Sequence, residues 1–203
     1  MTSPTKLENN RSRQFTKAIK DNLIILLGAV AFLWGLEILD TILLRFLDRF
    51  GIQPRSLGGL SGVLTSLFLH LGFGHLISNT IPFLILGGIV LIGGRKVFLK
   101  ATLFIILVGG LALWAFGPSA TNHIGASGLI FGYLGFLFAR GIFEKSIFWI
   151  IVSVIILFLY GGMLRGVFPG QPGISWQGHL FGFLAGILAA RVIFKSKVPK
   201  VSL

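Results

Sequence analysis

"NHIGASGLIF", residues Asn122–Phe131, places the hydroxyl of Ser127 between Gly125 and Gly128, where an uncharged apolar run begins. That run, Ser127–Ala139, decides the fold class because the chain contains five more of its kind. They occupy Leu23–Ile38, Leu76–Ile92, Val97–Phe116, Ile147–Tyr160 and Ile174–Phe194. Hydrophobic residues make up 54% of the 203 and the mean hydropathy is +0.90. Such runs approach the length needed to cross a hydrocarbon core about 30 Å thick. The expected fold is therefore all-α, a polytopic membrane protein with six transmembrane helices.

Charge gives an orientation. Eighteen Lys and Arg stand against six Asp and Glu, a formal charge of +12. On a soluble protein this would suggest nucleic acid, but here the cations sort by loop. With the N-terminus inside, Lys6, Arg11, Arg13, Lys17, Lys20, Arg95, Lys96, Lys100, Arg140, Lys145, Arg191, Lys195, Lys197 and Lys200 are cytosolic. That is fourteen of the eighteen, leaving Arg45, Arg49, Arg55 and Arg165 outside, as the positive-inside rule requires. Both termini are expected in the cytosol and no nucleic-acid partner is expected.

Residues 1–21 read as a basic cytosolic tail, disordered for want of apolar patterning. Residues 22–194 form the membrane domain, and 195–203 a second basic tail. No small-residue cleavage site follows Leu23–Ile38, so it reads as a retained span. The connection Leu39–Leu69 mixes apolar residues with Arg and Asp and is expected in the interface. Cysteine is absent, which excludes disulfides and a thiol nucleophile.

Depth links two polar residues. Ser127 lies thirteen residues before Arg140 and His179 twelve before Arg191. If both cations mark the inner boundary, the side chains sit roughly 20 Å and 18 Å above it. Ser127–Ala139 is too short to span alone, so the segment Gly117–Ala126 is expected to dip inward, packed in protein or lining a wet cavity. Gly128 and Gly132 on one helix, and Gly178, Gly182 and Gly186 on the other, form small-residue stripes that permit close approach. Such stripes serve packing in many membrane helices, and a serine at a helix start is ordinarily an N-cap. A histidine inside a span is different: it is costly and marks function. Together they place a hydroxyl beside a base, the arrangement of an activated nucleophile.

"FLHLGFGHLISNT" adds His70, His75 and Asn79. His75 and Asn79 are four apart and share a helix face, where their donors, with the N–H of Ser127, are suited to an oxyanion; alternatively they bond each other or nearby backbone. His70, at the loop edge, organises the loop. Zinc lacks the HExxH spacing and a nearby carboxylate, so no metal or cofactor is expected.

These residues resemble a known family. GASG at Gly125–Gly128, GHLFGFLAG at Gly178–Gly186, and His70, His75 and Asn79 at their spacing are similar to the rhomboid intramembrane serine proteases, over about Leu23–Arg191. The resemblance implies a six-helix rhomboid-like bundle of the compact bacterial form, a Ser127 nucleophile, a His179 general base, and His75 and Asn79 as oxyanion donors. It further implies that Phe131 packs on the catalytic histidine. Pro54-Arg55 stands where many members carry Trp-Arg.

No acid lies in the fourth or sixth span, so a Ser–His dyad is expected rather than a triad. The expected substrates are transmembrane helices of membrane proteins, cut near their outer ends within the lipid bilayer. The expected location is the bacterial inner membrane, with the site open to the outer face. Two other readings are a rhomboid-like client-binding protein without catalysis and a small-solute transporter.

Overall fold

The computed structural model describes residues 4–195, except for the side chains of 4–15, 18 and 195. Six long helices account for most of it: α1 (Pro4–Ile42), α2 (Phe73–Ile92), α3 (Arg95–Phe116), α4 (Ser127–Glu144), α5 (Ile147–Tyr160) and α6 (Trp176–Lys195). A 3₁₀ segment, Gly161–Val167, prolongs α5. Each helix contains or contributes to a span long and apolar enough to cross a membrane, six in all among the described residues. No strand is present among them; the single β-bridge joins Ile52 to His123.

Helix α1 runs from Pro4 and is continuous with the first span. No Gly or Pro interrupts it between Thr5 and Leu27, so nothing local breaks the helix. The fourth helix is longer than the expected Ser127–Ala139. It runs through Arg140 to Glu144, 18 residues, or about 27 Å. Arg140 lies one turn before the end of α4, and its guanidinium fills the space that a side chain at Gly93, in the α2–α3 turn, would occupy. Its side chain is 3% exposed, its Nε donates to Glu144 at 2.6 Å, and its guanidinium lies 3.4 Å from the Trp149 ring centre.

Helix α4 is the core of the bundle. Leu129, Ile130, Phe131, Tyr133, Leu134, Phe136 and Leu137 are all buried on it, which requires neighbours on every side. Glycine lets α6 approach most closely. A Cβ at Gly182 would collide with the Gly128 carbonyl oxygen, and one at Gly186 with that of Gly132. The stripes seen in the sequence therefore face each other. Helix α3 flanks the same contact, with Gly109 against the Gly182 backbone. Polar side chains tie other pairs. Tyr133 Oη and Thr102 Oγ1 are 2.8 Å apart, Ser153 Oγ donates to the Leu137 carbonyl at 2.6 Å, and Trp34 Nε1 donates to Thr80 Oγ1 at 3.2 Å.

Residues 43–72, between α1 and α2, make short helical turns at Leu47–Phe50, Gly58–Leu60, Gly62–Thr65 and Ser66–Phe68. Arg45 anchors the segment, with Glu37, Asp40 and Asp48 at 2.8, 3.5 and 3.8 Å. Arg55 donates to the carbonyls of Ala115 and Gly117 and to Ser119 Oγ. This clasps the connection to the segment before α4.

Candidate active site

Ser127 opens α4 and His179 stands in the first turn of α6. The glycine contact brings the two side chains together. Ser127 Oγ and His179 Nε2 are 2.9 Å apart, and His179 Nδ1 is 3.0 Å from the carbonyl oxygen of Gly166. A carbonyl only accepts, so Nδ1 carries the ring proton and Nε2 is left to accept from the serine hydroxyl. The Phe131 ring lies against the imidazole, with centres 4.1 Å apart and planes 9° from parallel. His179 is thus fixed by a main-chain carbonyl and an aromatic face. No carboxylate is involved.

The loop leading into Ser127 is held by the segment before α2. Ile52 and His123 exchange both main-chain bonds at 2.9 Å, and the Gly125 N–H donates to the Ser66 carbonyl at 2.9 Å. Gly125 has φ +120, and a Cβ there would stand 2.7 Å from the His75 ring. Only glycine meets both demands. His70 is buried; its carbonyl accepts from Arg45 at 3.1 Å and its Nε2 from the Ala126 N–H at 3.4 Å. Burial, and then the nearby His75, push its pKa down to about 4. It is therefore neutral near pH 7 and able to accept.

His75 and Asn79 line the same cavity as Ser127, His179 and Phe131, a volume of about 1110 Å³. His75 Nδ1 accepts from the Leu71 N–H at 3.3 Å, so Nε2 carries the proton and is a donor beside Gly125. Asn79 Nδ2 donates to the His75 carbonyl at 3.0 Å, which occupies one of its two N–H bonds. A smaller cavity of about 70 Å³ also reaches Ser127, between Ile105, Gly109, Leu113, Gly125 and Gly182. Gly178 packs beside Ser175 and faces Gly128. Among the described residues no group of three or more His, Asp or Glu is placed to hold a metal.

Parts of the site have no signature in the sequence. Gly166 contributes its main chain. Thr121 donates to the Pro118 carbonyl at 2.7 Å and pairs with His123 Nε2 at 2.7 Å. That makes Nε2 the donor and leaves His123 Nδ1 to accept from Ser175 Oγ at 2.7 Å. Ser175 in turn accepts the Gly178 N–H at 3.2 Å, the N-cap bond of α6. His123, whose pKa burial lowers, thus ties the loop before Ser127 to the start of the helix bearing His179.

The family model for the Rhomboid domain matches residues 57–196. An uncharacterized protein of Mycobacterium tuberculosis is 43% identical over 176 residues, covering 83% of this chain and 73% of its own length. An uncharacterized protein of Mycobacterium leprae is 39% identical over 180 residues, 84% of this chain and 70% of its own. The rhomboid protease GluP of Bacillus subtilis is 32% identical over 156 residues, 72% of this chain but 29% of its own length.

Proposed function

The chain belongs to the rhomboid family, and from that premise we propose that it is an intramembrane serine endopeptidase working through a Ser127–His179 dyad. The 2.9 Å contact between Ser127 Oγ and His179 Nε2 carries the reading. In this mechanism Nε2 takes the hydroxyl proton as Oγ attacks a peptide carbonyl. The imidazolium that forms keeps its Nδ1–H on the Gly166 carbonyl, whose dipole stabilises the charge in place of an aspartate. The tetrahedral oxyanion is held by His75 Nε2–H, by the second N–H of Asn79, and by the N–H of Ser127, which has no intrahelical acceptor at the helix start. Collapse breaks the C–N bond as Nε2 returns the proton to the leaving amine. Water then attacks the acyl-Ser127 ester with His179 again as base.

The substrates are transmembrane helices of other membrane proteins, locally unwound at the site because a helix hydrogen-bonds and shields its own carbonyls. Placement in a bacterial inner membrane with both termini cytosolic is supported by the fourteen-to-four division of cations and by bacterial relatives. The test is labelling of the purified protein with a serine-reactive phosphonate, the adduct mapped by mass spectrometry. Modification at Ser127 that is lost in His179→Ala, with cleavage lost in Ser127→Ala, is expected. An adduct elsewhere, or cleavage surviving in Ser127→Ala, overturns the proposal.

A further inference from the structure

Arg165 lines the same cavity as Ser127 and His179 and is the one Lys, Arg, Asp or Glu among its lining residues. It is exposed. Its main chain is pinned, with its carbonyl accepting from Phe168 N–H at 3.2 Å and Gln171 Nε2 at 3.3 Å. The next residue, Gly166, gives the carbonyl that holds His179. The guanidinium is therefore tethered one residue from the support of the base.

Nothing in the described part of the chain neutralises it. Asp21 pairs with Arg95 at 3.1 Å, Glu144 with Arg140 at 2.6 Å, and Glu37, Asp40 and Asp48 surround Arg45. Every acid whose side chain is described is thus engaged with another cation. Its hydrogen-bonded neighbour Gln171 is neutral, and so are Asn122 and Gln177 elsewhere on the cavity lining. A guanidinium presents a planar fork of donors matched to a carboxylate, and the counter-ion has to come from whatever enters the cavity.

We infer that Arg165 selects substrates carrying Asp or Glu within a few residues of the scissile bond; this rests on the proteolytic reading above. Lipid phosphate also pairs with arginine, but Arg165 shares its cavity with the proposed nucleophile, which favours the peptide.

The test uses membrane-helix reporter peptides identical except for Asp, Asn or Lys, moved one position at a time across the cleavage point. Cleavage is measured in detergent and in phosphatidylcholine vesicles with or without phosphatidylglycerol. The wild type should favour Asp over Asn in kcat/KM by up to about fivefold, the scale of an exposed ion pair. Arg165→Lys should retain the preference, Arg165→Gln should bring the ratio close to one, and Arg165→Glu should favour Lys. A ratio near one at every position in the wild type, or an Asp preference unchanged in Arg165→Gln, overturns the inference. So does an Arg165 effect that follows phosphatidylglycerol and ignores peptide charge. Binding of the same peptides to Ser127→Ala protein, read by fluorescence anisotropy, separates the two proposals. An Asp preference in affinity supports Arg165 even if the wild type cleaves nothing, which would sink the proteolytic reading alone.

Discussion

The Phe131 ring lies 4.1 Å from the imidazole of His179 and 9° from parallel to it, so the residue one turn after Ser127 sets the plane of the ring that Ser127 meets. Stacking of this kind contributes about 0.5–1.5 kcal/mol. Spread over rotations of the base, this is worth up to about tenfold in rate. Phe131→Ala is expected to lower kcat by that order with KM little changed, and Phe131→Tyr to restore most of it. Equal kcat in Phe131→Ala and wild type would show that the Gly166 bond alone holds the ring.

Asn79 tests the oxyanion assignment. One prepositioned donor is worth roughly 2.7–4 kcal/mol, or about 10² to 10³ in rate. Asn79→Ala should lose turnover on that scale while Ser127 still reacts, more slowly, with phosphonate. His75→Ala should lose as much or less. The competing role is already visible, since Asn79 donates to the His75 carbonyl within its own helix. If Asn79→Ala keeps its turnover and melts at lower temperature, that structural bond is its whole contribution.

Gly182 tests the helix contact. Its missing Cβ leaves room for the Gly128 carbonyl, so Gly182→Ala must push α6 from α4 and separate His179 from Ser127. Overpacking costs about 1–3 kcal/mol, and a lower melting temperature in detergent with loss of phosphonate labelling is expected. Gly28→Ala is the control, because a Cβ there meets nothing within 4 Å. Equal behaviour of the two variants would mean that the bundle has slack at Gly182.

Asp48 makes stability depend on pH. Burial, reinforced by the charge of Asp40, raises its pKa from 3.8 to about 6. Between those values the folded protein holds more protons on this group than the unfolded chain, so stability from Asp48 falls as pH rises through the window. Melting temperatures of Asp48→Asn and wild type should diverge from pH 4 to pH 6, with the variant relatively more stable at the higher pH. Parallel curves would show that Arg45 already offsets the repulsion.

The spans and the facing glycines were legible because both are local and periodic. Hydropathy sets a helix's existence, and four-residue spacing sets which face lacks side chains. The pairing of Ser127 with His179 could be anticipated on the same grounds, since two glycine faces that pack bring their neighbouring residues with them. Boundaries were less legible. The fourth helix runs on past Ala139 to Glu144, and only the structure shows that Arg140 there packs on the Trp149 ring and pairs with Glu144.

By itself the sequence determined six apolar runs, the glycine stripes on the fourth and the sixth, and the lack of any acid from Ser127 to Phe143 or in the sixth run to complete a triad. The tertiary structure decided what His179 Nδ1 meets, the Gly166 carbonyl, and how the His123–Ser175 link couples the loop to the helix. It also decided that Arg165 shares a cavity with the site. Main-chain acceptors are the same at every residue, and a side chain's neighbours across 13 or 52 positions depend on how the loops close. Neither leaves a periodic trace in the sequence.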